Sequence, residues 1–250
     1  MDVRSGEAQP GDAQPGPVSG QVALVSGASR GIGRAVARAL ARAGAHCVLT
    51  ARSPGGLEET DDLIRSELGA GQGATLLPLD LLDGAGIDSI GPTLAARFGR
   101  LDILVHAAAS LGALTPVPHI AERDWDRTLS VNVTASWRLI RTTAPLLQAA
   151  PAGRAVFLTD GHARQPVAFW GMLGAGKAAM ENLVLAWADE MAGHERLRIN
   201  LFDPGIVATR MRAQAMPGEN PARLARPEDA AVAILPLCLP AERRHGMLIC

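Results

Sequence analysis

Three glycines, Gly27, Gly31 and Gly33, separate a short apolar run, Val22–Ser26, from a segment with Ile32, Val36, Ala39 and Leu40 at helical spacing. This places a tight turn between a first strand and a first helix. Glycine admits positive φ and lets the backbone come close to a ligand. The helix N-terminus adds N–H groups and a positive dipole end. A turn built this way at this place suits a pyrophosphate, so the chain is expected to bind a dinucleotide.

The rest of the sequence alternates in the same manner. Strand-like runs stand at 46–50, 74–79, 101–106, 155–159, Leu197–Phe202 and 247–250. Helix-like segments lie between them at 57–68, 87–98, 122–149 and 173–192. In the last, Met180, Leu183, Val184, Trp187 and Met191 form one apolar stripe. Continuous apolar strands alternating with helices predict an α/β fold: a single doubly wound Rossmann-type domain with a parallel sheet of about seven strands. Residues 1–19 are rich in Gly, Pro, Gln, Ala and Asp and read as a disordered leader, with order from Gln21 and the domain over 20–250.

The formal net charge is −1, which offers no field for nucleic acid or an anionic membrane. No apolar run approaches the roughly 18 residues of a membrane span. Cys47, Cys238 and Cys250 are odd in number and scattered, which reads as reduced thiols in the cytoplasm and no metal site.

Later motifs sharpen the reading. Asp80 and Leu81 follow the third strand. Ala108 stands in His106-Ala107-Ala108-Ala109. Asn132 sits in Val131-Asn132-Val133, Lys177 in Gly174-Ala175-Gly176-Lys177, and Pro204-Gly205-Ile206-Val207-Ala208-Thr209 follows the sixth strand. With the glycine turn, these motifs resemble the short-chain dehydrogenase/reductase family from about residue 20 to the C-terminus. The resemblance implies cofactor contacts from Gly27, Ser29, Arg30, Gly31, Ile32, Gly33, Asp80, Leu81, Ala108, Lys177, Pro204, Gly205, Val207 and Thr209. It implies a structural and proton-relay role for Asn132 and an active-site role for Lys177. It also implies a homodimer or homotetramer, paired through the helices at 122–149 and 173–192.

The end of the second strand bears on the cofactor. NAD-preferring enzymes place an acid there for the ribose 2′-OH. This chain has Ala51 followed by Arg52, with Arg30 in the glycine turn. Two guanidinium groups suit a 2′-phosphate, so NADP(H) is expected over NAD(H).

The family's catalytic pattern is broken. It places a Tyr four residues before the Lys and a Ser thirteen before the Tyr. Here those positions are Leu173 and Asp160, and the chain contains no tyrosine. Leucine has no proton to give. Asp160 and Lys177 should face the same pocket, with an ion pair between them the simpler reading. His106 is read as a structural hydrogen-bonding group, and His162 as a loop histidine within reach of the cleft. Trp170 and Met172 would make the cleft apolar, and 206–226 would cover it. Two functions remain open: an NADP(H)-binding, catalytically impaired protein or pseudoenzyme, and an NADPH-dependent carbonyl/alcohol oxidoreductase using Lys177, Asp160 or His162 as proton donor on an unknown small molecule. A lyase or isomerase on the same scaffold is a third reading.

Overall fold

A computed structural model describes residues 15–250. Its seven strands form one parallel sheet in the order β3-β2-β1-β4-β5-β6-β7. The strands are β1 (Val22–Ser26), β2 (His46–Ala51), β3 (Thr75–Pro78), β4 (Ile103–His106), β5 (Gly153–Leu158), β6 (Leu197–Phe202) and β7 (Met247–Ile249). Register runs Val25↔Leu49 between β1 and β2, and Val25↔Val105 between β1 and β4.

Alternate residues of each strand enter two cores, which is why the strands read as unbroken apolar runs. Ala23, Val25, Ile103, Val105, Val156 and Leu158 face one layer. That layer holds α1 (Gly31–Arg42), α2 (Pro54–Leu68) and α8 (Pro227–Ile234), through Val36, Leu40, Ile64 and Ile234. Leu24, Leu104, Ala155 and Phe157 face the other. There α3 (Gly84–Phe98), α5 (Ala135–Ala149) and α6 (Gly171–Glu190) supply Ile90, Leu94, Leu139, Met180, Val184 and Trp187. Each such side chain, fully buried, contributes about 1.5–3 kcal/mol.

Two expectations change. The segment 122–149 is not one α-helix. It divides into α4 (Glu122–Leu129), a π-helical stretch (Ser130–Thr134) and α5. The wider turn brings Asn132 inward, where the carboxamide replaces backbone partners elsewhere in the chain. Order also begins before the expected Gln21. Val18 is fully buried in the first core and its N–H donates to the Ala43 carbonyl at 3.1 Å. One valine in a Gly/Pro-rich context gives no periodic signal, yet burial suffices to fix the segment 15–20. The remainder of that expectation, residues 1–14, lies outside the described residues.

Candidate cofactor and active-site cleft

The strand order reverses between β1 and β4, so the loops after these two strands diverge and leave a crevice at the carboxyl ends of the sheet. A cleft of about 1390 Å³ lies there. That exceeds the usual 300–1,000 Å³ of a small-ligand pocket and leaves room for a dinucleotide and a second molecule.

The glycine turn forms one wall. Gly27 and Gly31 have φ of +70° and +55°, which a side chain would strain. A Cβ on Gly27 would also lie 2.8 Å from the Ala108 nitrogen, and one on Gly33 2.4 Å from the Gly27 carbonyl oxygen. Gly27 therefore lets the turn lie against the loop after β4, and Gly33 lets the first turn of α1 lie against Gly27. Among the described residues no side chain caps the N-terminus of α1, so its first N–H groups remain for an anion. These features fit a pyrophosphate. Ser29, Arg30, Ile32, Thr50, Ala51, Arg52, Asp80, Leu81 and Ala108 line the same cleft. Arg30 and Arg52 are exposed and pair with no carboxylate among the described residues. Asp80 turns Oδ1 to the Leu82 N–H at 3.1 Å.

The opposite wall comes from the loop after β6. Pro204, Gly205, Ile206, Val207 and Thr209 line the cleft. Val207 is anchored by a bridge to Ala225, and the Thr209 hydroxyl caps α7 (Arg210–Ala215). A Cβ on Gly31 would stand 3.5 Å from the Thr209 methyl, so the two walls meet at that point. Of the expected covering segment, Met211 lines the cleft, whereas Met216 is exposed.

Between these walls, Lys177 of α6 is buried, and its Nζ donates to the Leu158 carbonyl at 2.6 Å. Burial pulls its ammonium down to about 8, against the opposing pull of Asp160, Glu181 and Asp203. Leu173, one helical turn earlier, is 2% exposed at the edge of the cleft. Asn132 is buried and both polar atoms of its carboxamide are engaged. Its Oδ1 accepts from Ser110 N at 2.7 Å and its Nδ2 donates to Ser110 O at 2.9 Å, which fixes the loop after β4.

The expected ion pair between Asp160 and Lys177 does not form. Asp160 is held in the loop after β5, where Oδ1 accepts from the His162 N–H at 2.9 Å and also meets the imidazole Nδ1. His162 in turn stacks on Trp170, centroids 3.9 Å apart and planes 7° from parallel. A spacing of two residues let the carboxylate reach its neighbour first. Met172 is buried and does not line the cleft, whereas Trp170 does.

Other polar groups were not visible in the sequence as a set. His106 Nδ1 lies 2.6 Å from the Ser26 hydroxyl and Nε2 lies 3.1 Å from that of Ser136, tying β1, β4 and α5 together. Burial, with the nearby Lys177 charge, lowers its pKa to about 3, so it is a neutral structural group. Arg164 bridges Glu181 and Asp203, the latter at the cleft wall. A cluster assembled from three distant segments leaves no spacing to read.

Fold and cleft together define a doubly wound α/β protein with its binding crevice at the reversal of the strand order. Residues 21–220 match the model of the short chain dehydrogenase family, and the chain belongs to that family of oxidoreductases. It is 35% identical over 232 residues to YciK of Escherichia coli K12, described as an uncharacterized oxidoreductase, spanning 91% of this chain and 90% of that one. A Shigella flexneri protein assigned to the short chain dehydrogenases and solved with NADP superposes with a TM-score of 0.87 at 32% identity, covering 94% of this chain and 98% of that one. An Escherichia coli counterpart solved with NADPH gives 0.86 at 34% identity, with the same coverage.

Proposed function

We propose that this chain binds NADP(H) in preference to NAD(H) and is catalytically impaired because it has lost the phenol-based proton transfer of its family. The observation that carries this is Leu173: an alkyl side chain, buried one turn before Lys177, in a chain without tyrosine. Asp160 takes the place of the family's substrate-orienting Ser and is engaged with His162. Arg30 and Arg52 beside an acid-free β2 end support the 2′-phosphate, and the NADP and NADPH complexes of related structures support the cofactor class. Such a protein acts through the bound cofactor, as a sensor or partner subunit, with slow or no turnover. Cysteines 47 and 238 are buried and unpaired, in keeping with a reducing cytoplasm. Among the described residues no helix is long and apolar enough to cross a membrane. The test is calorimetric binding of NADPH and NADH beside NADPH oxidation against a panel of carbonyl compounds. Tight NADPH binding with turnover far below that of a tyrosine-bearing relative is the expected result. Rates equal to such a relative would overturn the impairment.

A second reading is favoured by the Asp160–His162 contact. In it the protein remains an oxidoreductase whose proton comes from a group other than a phenol.

A further inference from the structure

We propose that His162, positioned by Asp160, is the group that exchanges a proton with a carbonyl or alcohol oxygen in this cleft. The proposal rests on the second reading and names the residue that reading requires.

Two separate constraints fix the ring. Asp160 holds Nδ1, and its backbone is extended so that the carboxylate folds over the turn at 161–163. Trp170 holds the ring plane by near-parallel stacking. A histidine that merely decorates a loop needs neither. The segment presenting Trp170 is itself strained: Phe169 has φ of +74°, a region costly for a bulky residue, of order 1–3 kcal/mol. The fold retains that strain at the point where the indole must turn toward His162.

The remaining nitrogen, Nε2, has no hydrogen-bond partner among the described residues, and His162 lines the cleft with Lys177 and Leu173. With Nδ1–H directed at the carboxylate, a neutral ring keeps its lone pair on Nε2 and a protonated ring carries a proton there. The Asp160 carboxylate fixes the orientation of the ring, as the orienting carboxylate does in other acid–base pairs. The indole face adds cation–π attraction to the charged ring. Besides Asp160, the charged groups that line the cleft with His162 include Asp124 and Arg127 on α4, Lys177 on α6, Asp203 after β6, and Arg210 and Arg212 on α7. Lys177 is turned to Leu158, and Arg164 to Glu181 and Asp203. None of them competes for Nε2.

In the reducing direction His162 would give its Nε2 proton to the carbonyl oxygen, which becomes the alcohol hydroxyl, and solvent would reprotonate the ring. A reduced nicotinamide held by the glycine turn, Arg30 and Arg52 would supply the hydride for the carbonyl carbon and be left oxidised. The oxidising direction reverses each transfer, with neutral His162 as base.

The test uses the full chain with NADPH and 9,10-phenanthrenequinone as the carbonyl probe. His162→Gln keeps a polar planar group but cannot carry the proton. Asp160→Asn keeps an oxygen for the His162 N–H but loses the charge. Both variants should bind NADPH as the unaltered chain does and lose about 10²–10⁴-fold in kcat for His162→Gln, less for Asp160→Asn, with KM little changed. Nitrogen-15 NMR of the ring is the second readout: neutral His162 should carry its proton on Nδ1, and Asp160→Asn should weaken that preference. Turnover retained in His162→Gln overturns the proposal and spares the second reading. Absence of turnover in the unaltered chain overturns both. A neutral ring protonated on Nε2 overturns the role of Asp160.

Discussion

Lys177 Nζ donates to the backbone carbonyl of Leu158 at 2.6 Å, from a site that is 4% exposed. The pairing keeps an ammonium at the floor of the cleft although no carboxylate among the described residues contacts it directly. Its pKa, drawn down to about 8, lies below the ordinary value near 10.4 of an unfolded chain. Between those two values the unfolded state holds the extra proton, so the stability contributed by this group rises with pH. Relative to Lys177→Met, the unaltered chain should gain stability from pH 7.5 to pH 10, by an amount on the order of 1–3 kcal/mol. Urea unfolding of both proteins at the two pH values checks it. A parallel dependence in the two would mean that the amine titrates normally.

His106 gives the acid-side counterpart. Its folded pKa of about 3 lies below the unfolded value near 6.5, so the unfolded chain takes the proton first and stability falls as pH drops through that window. His106→Asn should flatten this slope, by up to about 1.4 kcal/mol per pH unit below 6.5. At neutral pH it should cost about 1–3 kcal/mol, because the Ser26 and Ser136 hydroxyls lose a buried partner.

Arg52→Ala and Arg30→Ala should each weaken NADPH binding by about tenfold and leave NADH binding nearly unchanged. Charged hydrogen bonds are worth about 1.5–3 kcal/mol, and the exposure of both arginines argues for the low end. Calorimetry with both cofactors is the measurement. Equal losses for NADH and NADPH would place the arginines on the pyrophosphate instead.

Leu173→Tyr should raise NADPH-dependent reduction of an activated ketone, since the phenol would enter the cleft one turn from Lys177. Because Asp160 is engaged by His162 and leaves Lys177 alone, the single change should already give a gain. Adding Asp160→Ser should increase it further by supplying a hydroxyl for the substrate oxygen. Initial rates of the single and double variants decide the point. No gain in either would show that the nicotinamide does not reach this position.

Trp125, Trp137 and Leu185 lie exposed on α4, α5 and α6, the helices expected to pair across a two-fold axis. Light scattering should report at least a dimer at micromolar concentration, and Trp137→Glu should shift it toward monomer. A monomeric unaltered chain would refute the expectation.

The strands were legible because burial on both faces leaves an unbroken apolar run, as in Val22–Ser26 and Leu197–Phe202. The glycine turn was legible because positive φ and close approach restrict the residue type at Gly27 and Gly31. The division of 122–149 was not, since one wide turn at Ser130–Thr134 barely shifts the apolar period. Sequence spacing brought Asp160, His162 and Lys177 into one cleft. It could not rank their pairwise distances, and so the carboxylate was expected on Lys177 when it lies on His162. The Trp170 stack depends on the φ of Phe169, which no residue preference announces.

That stack gives the protein a built-in optical reporter. The chain holds four tryptophans and no tyrosine, so no phenol emission overlaps that of its indoles. Among the four, Trp170 is the one that lines the cleft, lying face to face with His162. A ring that gains a proton, or a molecule that slides between the two planes, alters the surroundings of that indole directly. Occupancy and protonation of the cleft should therefore be readable as a change in colour and brightness of the unlabelled protein.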